Sequence, residues 1–373
     1  MIKLTFLYPL AAAINFFSVT GLLIISGLLG KGELAADIGI VQGALIAVFL
    51  SLSGNARSLI LANSTDDDER NLYYFRLLLM FPAVIAAFIL ATSIIDIPIY
   101  LFVGLTIRKC SEWFSELQLA NREKHNDIHF ANRYVQINTA GFLLLILTLA
   151  FSWVDVFYLV LYVWALLPAI FLFPYIRWIY DAKRFKLSFS KFIPHIGSTS
   201  VIGITTYIFR ILIVLLAGKA LSGQMFTAYA LGGIVSALYT YALGPTLLLR
   251  GKNSNSPIYF FTLLSILVGG GVCLSVLLLD GELSSLFVYA IGFSLMGGGI
   301  MLLAQRKRMY LLQVAKNDVF VPDALINILI TLSIPFAYYA VGQVSLTFFF
   351  LWAAILNLLF YSTLSFKSRI GNI

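Results

Sequence analysis

Two short segments, "LANREK" at Leu119–Lys124 and "LAQRKR" at Leu303–Arg308, each follow a long apolar stretch of the chain. They lie about 184 residues apart in a chain of 373 residues. A basic segment that returns after about half of the chain predicts an internal duplication. The alternative is that basic loops resemble one another because membrane topology requires basic residues there.

The composition indicates an integral membrane protein. Hydrophobic residues make up 60% of the chain, charged residues make up 11%, and the mean hydropathy is +0.94. Apolar runs of roughly 18 to 25 residues recur, and each is long enough to cross a hydrocarbon core of about 30 Å as a helix. A transmembrane barrel would show short alternating strands instead. The predicted fold class is therefore all-α, and the first run, Leu4–Leu29, is a span rather than a cleaved signal.

Short polar breaks divide the chain into about twelve predicted spans. They cover 4–29, 38–61, 72–94, 97–119, 128–151 and 157–178, and then 196–218, 224–248, 258–279, 284–305, 316–341 and 343–365. A basic segment, "DAKRFKLSFSKFIPH" at Asp181–His195, joins the two sets. We therefore predict an N-terminal six-helix lobe (1–182), a cytoplasmic linker (183–195) and a C-terminal six-helix lobe (196–373).

The distribution of lysine and arginine predicts the orientation of the spans. If the N-terminus is cytoplasmic, the outer loops contain only Lys31 and Lys219, and the inner ends of the spans carry most of the other cations. We therefore expect both termini in the cytoplasm. The net charge of +8 follows from this topology, so no nucleic-acid partner is predicted.

Matched glycines at similar spacing favour the duplication. Gly30–Lys31 ends the first span, and Gly218–Lys219 ends the seventh. Further matches are Gly43 and Gly54 in the second span with Gly233 and Gly244 in the eighth. Because each unit has an even number of spans, both copies would enter the membrane in the same orientation, with a central site between the lobes.

Three segments resemble the multidrug/oligosaccharidyl-lipid/polysaccharide (MOP) exporter superfamily, and within it the O-antigen flippases of the Wzx type. They are "SLSGNARSLI" at Ser51–Ile60, "LANREKHNDIHFANRYVQ" at Leu119–Gln136 and "YIFRILIVLLAGKALSGQMFTAYALG" at Tyr207–Gly232. The resemblance implies a flippase that moves a polyprenyl-diphosphate-linked oligosaccharide across the bacterial inner membrane by alternating access. It also implies contact with membrane lipids and with other membrane proteins of polysaccharide assembly. One departure is Phe209, because family members often have an acidic residue directly before the basic residue that is Arg210 here.

Ionisable side chains inside the spans are the predicted substrate-binding residues, because charge at membrane depth is costly and favours a cavity. Arg108, Lys109 and Glu112 lie in the fourth span, and Arg210 lies well inside the seventh. Arg57, near the inner end of the second span, completes the set. Arginine suits a diphosphate because its planar guanidinium binds phosphate oxygens in pairs and remains charged.

A structural interpretation of the same residues stays open. Arg108 and Glu112 are four residues apart, so they share a helix face and can neutralise one another. Lys109 can extend toward the membrane surface. Arg57 is either an interfacial anchor or a residue of the cavity entrance, whereas Arg210 has no acidic residue on its own span.

The sequence favours a transporter over an enzyme. It has no phosphate-binding loop of the form GxxxxGK followed by Ser or Thr, and no large outer loop for catalytic groups. His125 and His129 have the spacing of metal ligands but lack an accompanying cluster, so we predict no catalytic residue, no metal and no cofactor. The alternatives are an exporter of peptidoglycan precursor or drugs, and a membrane enzyme of glycan assembly such as a polymerase.

Overall fold

A computed structural model describes residues 2–53, 56–61, 66–175, 193–238, 256–279, 285–314 and 320–370. These residues form helices joined by short turns, and no strand occurs among them. The predicted all-α class is therefore confirmed for the described parts of the chain. Gly54, Gly244 and most of the predicted linker 183–195 lie outside the described residues.

Twelve α-helices can be numbered in chain order along the described residues. They are α1 (Ile2–Leu28), α2 (Gly32–Leu45), α3 (Ala56–Leu61), α4 (Asp66–Thr92), α5 (Ile99–Lys124), α6 (Ile128–Ala150), α7 (Val154–Leu166), α8 (Ile193–Ala237), α9 (Ser256–Leu279), α10 (Ser285–Val314), α11 (Phe320–Val341) and α12 (Val344–Ile370). A π-helical segment, Ile46–Leu50, follows α2, and a 3-10 segment, Leu167–Tyr175, follows α7.

Ten segments of the described residues are long and apolar enough to cross a membrane. One of them, Thr199–Ala237, is bent at Gly218, so α8 consists of two arms, 193–217 and 219–237. Helix α5 is not among the ten, because seven of its 26 residues are charged. The helices therefore support a multi-pass membrane protein, while the cytoplasmic placement of the termini stays a prediction.

Five turns of the described residues contain a residue with a left-handed backbone, which ends a helix without a steric clash when that residue is glycine. Asn126 (φ 56°) follows α5, and the other four form two pairs. Gly30 (φ 75°) follows α1, and Gly218 (φ 76°) bends α8. Ser152 (φ 55°) follows α6, and Gly342 (φ 72°) follows α11. Within each pair the two turns occupy equivalent places in the two predicted halves. The turn geometry therefore repeats as the glycine–lysine spacing predicts.

The described residues divide into two compact units that interleave along the chain. Unit 1 contains the described residues of 2–22 and 40–207, and unit 2 contains those of 23–39, 208–238 and 256–370. In unit 1, α5 packs against α3, α4, α6 and α7. In unit 2, α10 packs against α9 and α12, and α11 packs against α12. The division into two six-helix lobes stays a prediction.

Candidate functional site

The predicted substrate-binding residues lie in two places. Arg57, Arg108, Lys109 and Glu112 belong to unit 1, and Arg210 belongs to unit 2. The surroundings of these charges are therefore described unit by unit.

Arg108 is completely buried, and two of its three guanidinium nitrogens donate hydrogen bonds to protein acceptors. Its Nε donates to Glu112 Oε1 at 2.7 Å, and its Nη1 donates to Asn138 Oδ1 at 3.0 Å and to the Trp164 carbonyl at 2.9 Å. The guanidinium carbon lies 4.3 Å from the centre of the Trp164 ring. The structure therefore brings Arg108 and Glu112 together as the spacing on α5 suggests, while a substrate contact of Arg108 stays a prediction.

Glu112 also receives hydrogen bonds from α1 and lies near a second cation. Ser18 donates its hydroxyl to Glu112 Oε1, and Asn15 donates its side-chain amide to the Glu112 carbonyl at 3.1 Å. Lys109 Nζ lies 3.8 Å from Glu112 Oε2, and its side chain is 18% exposed. Two cations therefore share one carboxylate here, and Lys109 is the more accessible of them.

Arg57 is neutralised by a carboxylate from the other end of α5. Its Nη2 and Nε donate to Glu123 Oε2 at 2.7 Å and 3.2 Å, and both side chains are nearly inaccessible to solvent. This pair places Arg57 in a buried contact between α3 and α5. Its predicted role at a cavity entrance is not tested by this contact.

A third arginine in unit 1 was missed by sequence reasoning, which treated it as a cation at the inner end of a span. Arg76 on α4 is fully buried, and its Nη2 donates to Glu116 Oε2 at 2.8 Å and to Ser53 Oγ at 3.2 Å. The signal was the spacing of Glu112, Glu116 and Glu123 on α5, which places buried carboxylates along one helix. Each of these three glutamates pairs with one arginine.

Unit 2 contains a comparable buried pair that the sequence did not reveal. Arg308 near the end of α10 donates to both carboxylate oxygens of Asp323 on α11. The distances are 2.9 Å from Nε to Oδ1 and 2.5 Å from Nη2 to Oδ2. Tyr361 on α12 donates its hydroxyl to Asp323 Oδ1 at 2.5 Å. This contact connects three helices, and it gives "LAQRKR" a structural role inside the protein.

Arg210 on α8 differs from these arginines. Its Nη1 donates to the Gly39 carbonyl on α2, and its guanidinium carbon lies 5.7 Å from the centre of the Phe226 ring. No carboxylate of the described residues pairs with it, and its side chain is partly exposed. The preceding residue, Phe209, stacks on Phe349 with ring centres 5.3 Å apart. An aromatic ring therefore lies directly before Arg210 in the chain.

Charge balance separates the two kinds of arginine. A buried ion pair is stable only if hydrogen bonds and the partner charge compensate for lost hydration, and Arg57, Arg76, Arg108 and Arg308 each have such a partner charge. An intramembrane arginine without an anionic partner favours the arrival of an anion. Among the predicted residues that the structure describes, Arg210 therefore has the strongest capacity to bind a negatively charged group, and Lys109 comes second.

The two histidines with metal-ligand spacing lie at the turn between α5 and α6. No three His, Cys, Asp or Glu side chains within the described ranges form a group that could hold a metal ion. His125 contacts the Asn121 carbonyl through Nδ1 at 2.9 Å, which ties it to its own helix end.

The fold is similar to a solved structure described as "Inward-facing conformation of a multidrug resistance MATE family transporter of the MOP superfamily". The TM-score is 0.54, the match covers 98% of this chain and 100% of that chain, and 14% of the residues are identical. No family model and no curated protein matches the chain. The chain therefore shares the overall fold of that structure. The predicted membership of the MOP superfamily and the narrower prediction of a Wzx-type flippase rest on sequence resemblance.

Proposed function

We propose that this protein is a flippase that moves a polyprenyl-diphosphate-linked oligosaccharide, such as the repeat unit of a surface polysaccharide, across the bacterial inner membrane. The substrate would enter from the cytoplasmic side, and alternating access would expose it to the other side. The shared fold supports transport rather than catalysis.

The proposal rests on Arg210, whose guanidinium has no carboxylate partner among the described residues. A diphosphate brings negative charge that cannot enter hydrocarbon without a large loss of hydration free energy. Arg210 offers a guanidinium that has no carboxylate partner among the described residues, and Lys109 offers a partly exposed ammonium. Both groups favour an anionic head group, while Arg57, Arg108 and Glu112 would support the substrate site through their buried network.

The proposal includes a full topology. We infer twelve spans in two six-helix lobes, 1–182 and 196–373, joined by the cytoplasmic linker 183–195, with both termini in the cytoplasm. The ten apolar segments, the bend of α8 at Gly218 and the polar helix α5 together support this number. In this topology the lipid tail stays in the bilayer while the sugars and the diphosphate occupy the space between the lobes.

Translocation in proteoliposomes tests the proposal. Vesicles that contain the purified protein would be loaded with a fluorescent polyprenyl-diphosphate oligosaccharide, and transport would be followed by digestion with a glycosidase that cannot cross the membrane. We expect Arg210→Ala to slow transport by about tenfold or more, because one charge-assisted contact of about 1.5–3 kcal/mol is lost. We expect Arg210→Lys to retain part of the rate, because the charge is kept but the planar fork is lost.

Arg122→Ala is the matched control, because it removes an arginine whose side chain is 42% exposed. Its transport rate should stay within about twofold of the wild type, as expected for a surface ion pair. If Arg210→Ala transports as fast as this control while the protein is inserted normally, Arg210 does not bind the substrate.

Drug export is the second candidate, because the solved structure with this fold is named a multidrug resistance transporter. A carrier of cationic drugs would gain from cavity carboxylates, whereas the buried carboxylates of α5 are already paired with arginines. Efflux of a cationic dye from loaded vesicles separates the two candidates.

A peptidoglycan precursor carries the same diphosphate chemistry, so a direct competition between both lipid-linked substrates would separate these glycans. A polymerase would instead lengthen the glycan in the same vesicles.

A further inference from the structure

A closely packed contact in unit 2, here called the glycine seam, joins the α1–α2 turn region to α8 around its bend. It consists of Gly27, Gly32 and Gly39 on one side and Ala220, Gly223, Phe226 and Thr227 on the other. A Cβ atom on Gly32 would lie 2.8 Å from the Ala220 carbonyl, and one on Gly223 would overlap the Gly32 carbonyl. Backbones approach this closely only where side chains are absent. The seam is therefore a tight contact between the first helix pair of each predicted half.

An ion pair closes the seam near its turns. Lys219, which directly follows the bend, lies with Nζ 2.8 Å from Asp37 Oδ1 on α2. Lys219 is one of the two cations that the sequence places in outer loops. On the predicted topology, the seam therefore lies toward the outer side of the membrane.

Arg210 is bound to both sides of this seam. Its hydrogen-bond acceptor, the Gly39 carbonyl, belongs to the α2 side, and the Phe226 ring beneath it belongs to the α8 side. A Cβ on Gly39 would overlap the Phe226 ring, so the missing side chain of Gly39 makes this arrangement possible. Arg210, which has no carboxylate partner among the described residues, thus contacts both sides of the seam.

We propose that a phosphate-bearing ligand takes the hydrogen bond that Arg210 now donates to the Gly39 carbonyl, and that this exchange loosens the seam. Charged phosphate oxygens are stronger acceptors than an amide carbonyl. The Gly39 carbonyl lies inside α2 and keeps its place in the helical hydrogen-bond ladder, so the exchange leaves no buried acceptor unpaired. The inference rests on the proposed anion site, and it adds that ligand binding and seam opening are coupled through one guanidinium.

The coupling follows from differential affinity. A ligand shifts a conformational equilibrium only as far as it binds one state better than the other. With the seam closed, Arg210 must give up the Gly39 carbonyl before it can bind a ligand through Nη1. With the seam open, the same Nη1 is available. A phosphate ligand therefore favours the open seam, while the pair between Asp37 and Lys219 opposes it.

Cysteine labelling at Thr227 tests the proposal in the full-length protein. Thr227 is fully buried against Gly27, so Thr227→Cys in a Cys110→Ser, Cys273→Ser background reports opening of the seam. We expect pyrophosphate to raise the rate of maleimide labelling several-fold. Without ligand, we expect the Arg210→Met protein to be labelled about tenfold faster, because it loses one hydrogen bond from a charged group. We expect pyrophosphate to leave its labelling rate unchanged.

Asp37→Asn is the matched control, because it weakens the seam without changing Arg210. Its cysteine should label faster without ligand and should still respond to pyrophosphate.

Pyrophosphate binding is measured in parallel by calorimetry. If pyrophosphate binds the wild type but not Arg210→Met, and labelling does not change with ligand, the coupling is overturned and the anion site stands. If pyrophosphate binds both proteins equally, or neither, the anion site fails. If Arg210→Met labels no faster than the wild type without ligand, Arg210 does not hold the seam.

Discussion

The arginines around α5 and Arg210 on α8 lie in different units of the protein and have different partners. Arg57, Arg76 and Arg108 each contact a glutamate of α5. Arg210 contacts a backbone carbonyl and an aromatic ring, with no carboxylate partner among the described residues. A charge that is already neutralised stabilises the fold, whereas a charge that still attracts an anion can bind a ligand. We therefore propose that intramembrane charge has two uses in this protein, and that the partner of each charge decides which.

The largest effect on stability is expected when a buried pair loses its anion. Glu112→Gln leaves Arg108 completely buried without its carboxylate partner, and such losses cost about 3–5 kcal/mol. Thermal unfolding of the purified protein in detergent measures this effect. The double variant Arg108→Met, Glu112→Met is the control and should lose less, because it removes both charges together. Unfolding of Glu112→Gln at the wild-type temperature would show that Asn138 and the Trp164 carbonyl suffice for Arg108.

A smaller loss is expected in unit 2. Asp323→Asn breaks the two-oxygen contact with Arg308, whose side chain is 10% exposed and lies near the end of α10. Partial access to solvent lowers the cost of leaving the Arg308 charge without a carboxylate. We therefore expect the free energy of unfolding to fall by about 2 kcal/mol. Tyr361→Phe removes only the hydroxyl that donates to Asp323 and should lose about 1 kcal/mol. If Asp323→Asn unfolds at the same temperature as Tyr361→Phe, the charge of the pair does not contribute.

Removal of Arg210 should barely change stability while it slows transport. Arg210→Met replaces a cation without a carboxylate partner among the described residues by an apolar side chain of similar length, and it gives up one hydrogen bond to a neutral carbonyl. We expect a change within about 1 kcal/mol, because relief of charge burial offsets the lost bond. Thermal unfolding measured beside transport separates the two effects. A loss as large as that of Glu112→Gln would place Arg210 among the arginines that stabilise the fold.

The smallest effect is expected at an exposed pair. Arg122 Nη1 lies 3.1 Å from Asp127 Oδ2, and both side chains are partly open to solvent. Arg122→Ala should cost less than about 1 kcal/mol in thermal unfolding. Raising the salt concentration should reduce this difference in stability between the two proteins, because salt screens the ion pair of the wild type. A cost comparable to that of Asp323→Asn would mean that "LANREK" contributes to the fold through Arg122.

Hydropathy predicted the positions of the helices better than their ends. The span predicted at 284–305 corresponds to α10, which continues to Val314. Arginine, lysine and glutamine are good helix formers, so the helix extends through "LAQRKR" although the apolar run stops there. The span predicted at 38–61 is divided into α2, a π-helical segment and α3, because a local change in backbone geometry leaves the hydropathy unchanged.

The candidate site was predicted in part. The contact between Arg108 and Glu112 follows from their spacing on one helix, and Arg210 was selected because it is a charged residue well inside its span. The pairs of Arg57 with Glu123, Arg76 with Glu116 and Arg308 with Asp323 join residues on different helices. Sequence spacing does not identify the two partners of such a pair, because the pairing depends on how the helices pack.

The sequence by itself determined an all-α membrane architecture, the approximate spans and the repeated glycine turns. These properties follow from hydrophobic run length and from local backbone preferences, which neighbouring residues set. Only the tertiary structure decided which buried charges are neutralised and which one remains without a carboxylate among the described residues. The reason is that the free energy of a charge in an apolar environment depends on atoms within a few ångströms, and helix packing brings those atoms from distant parts of the chain.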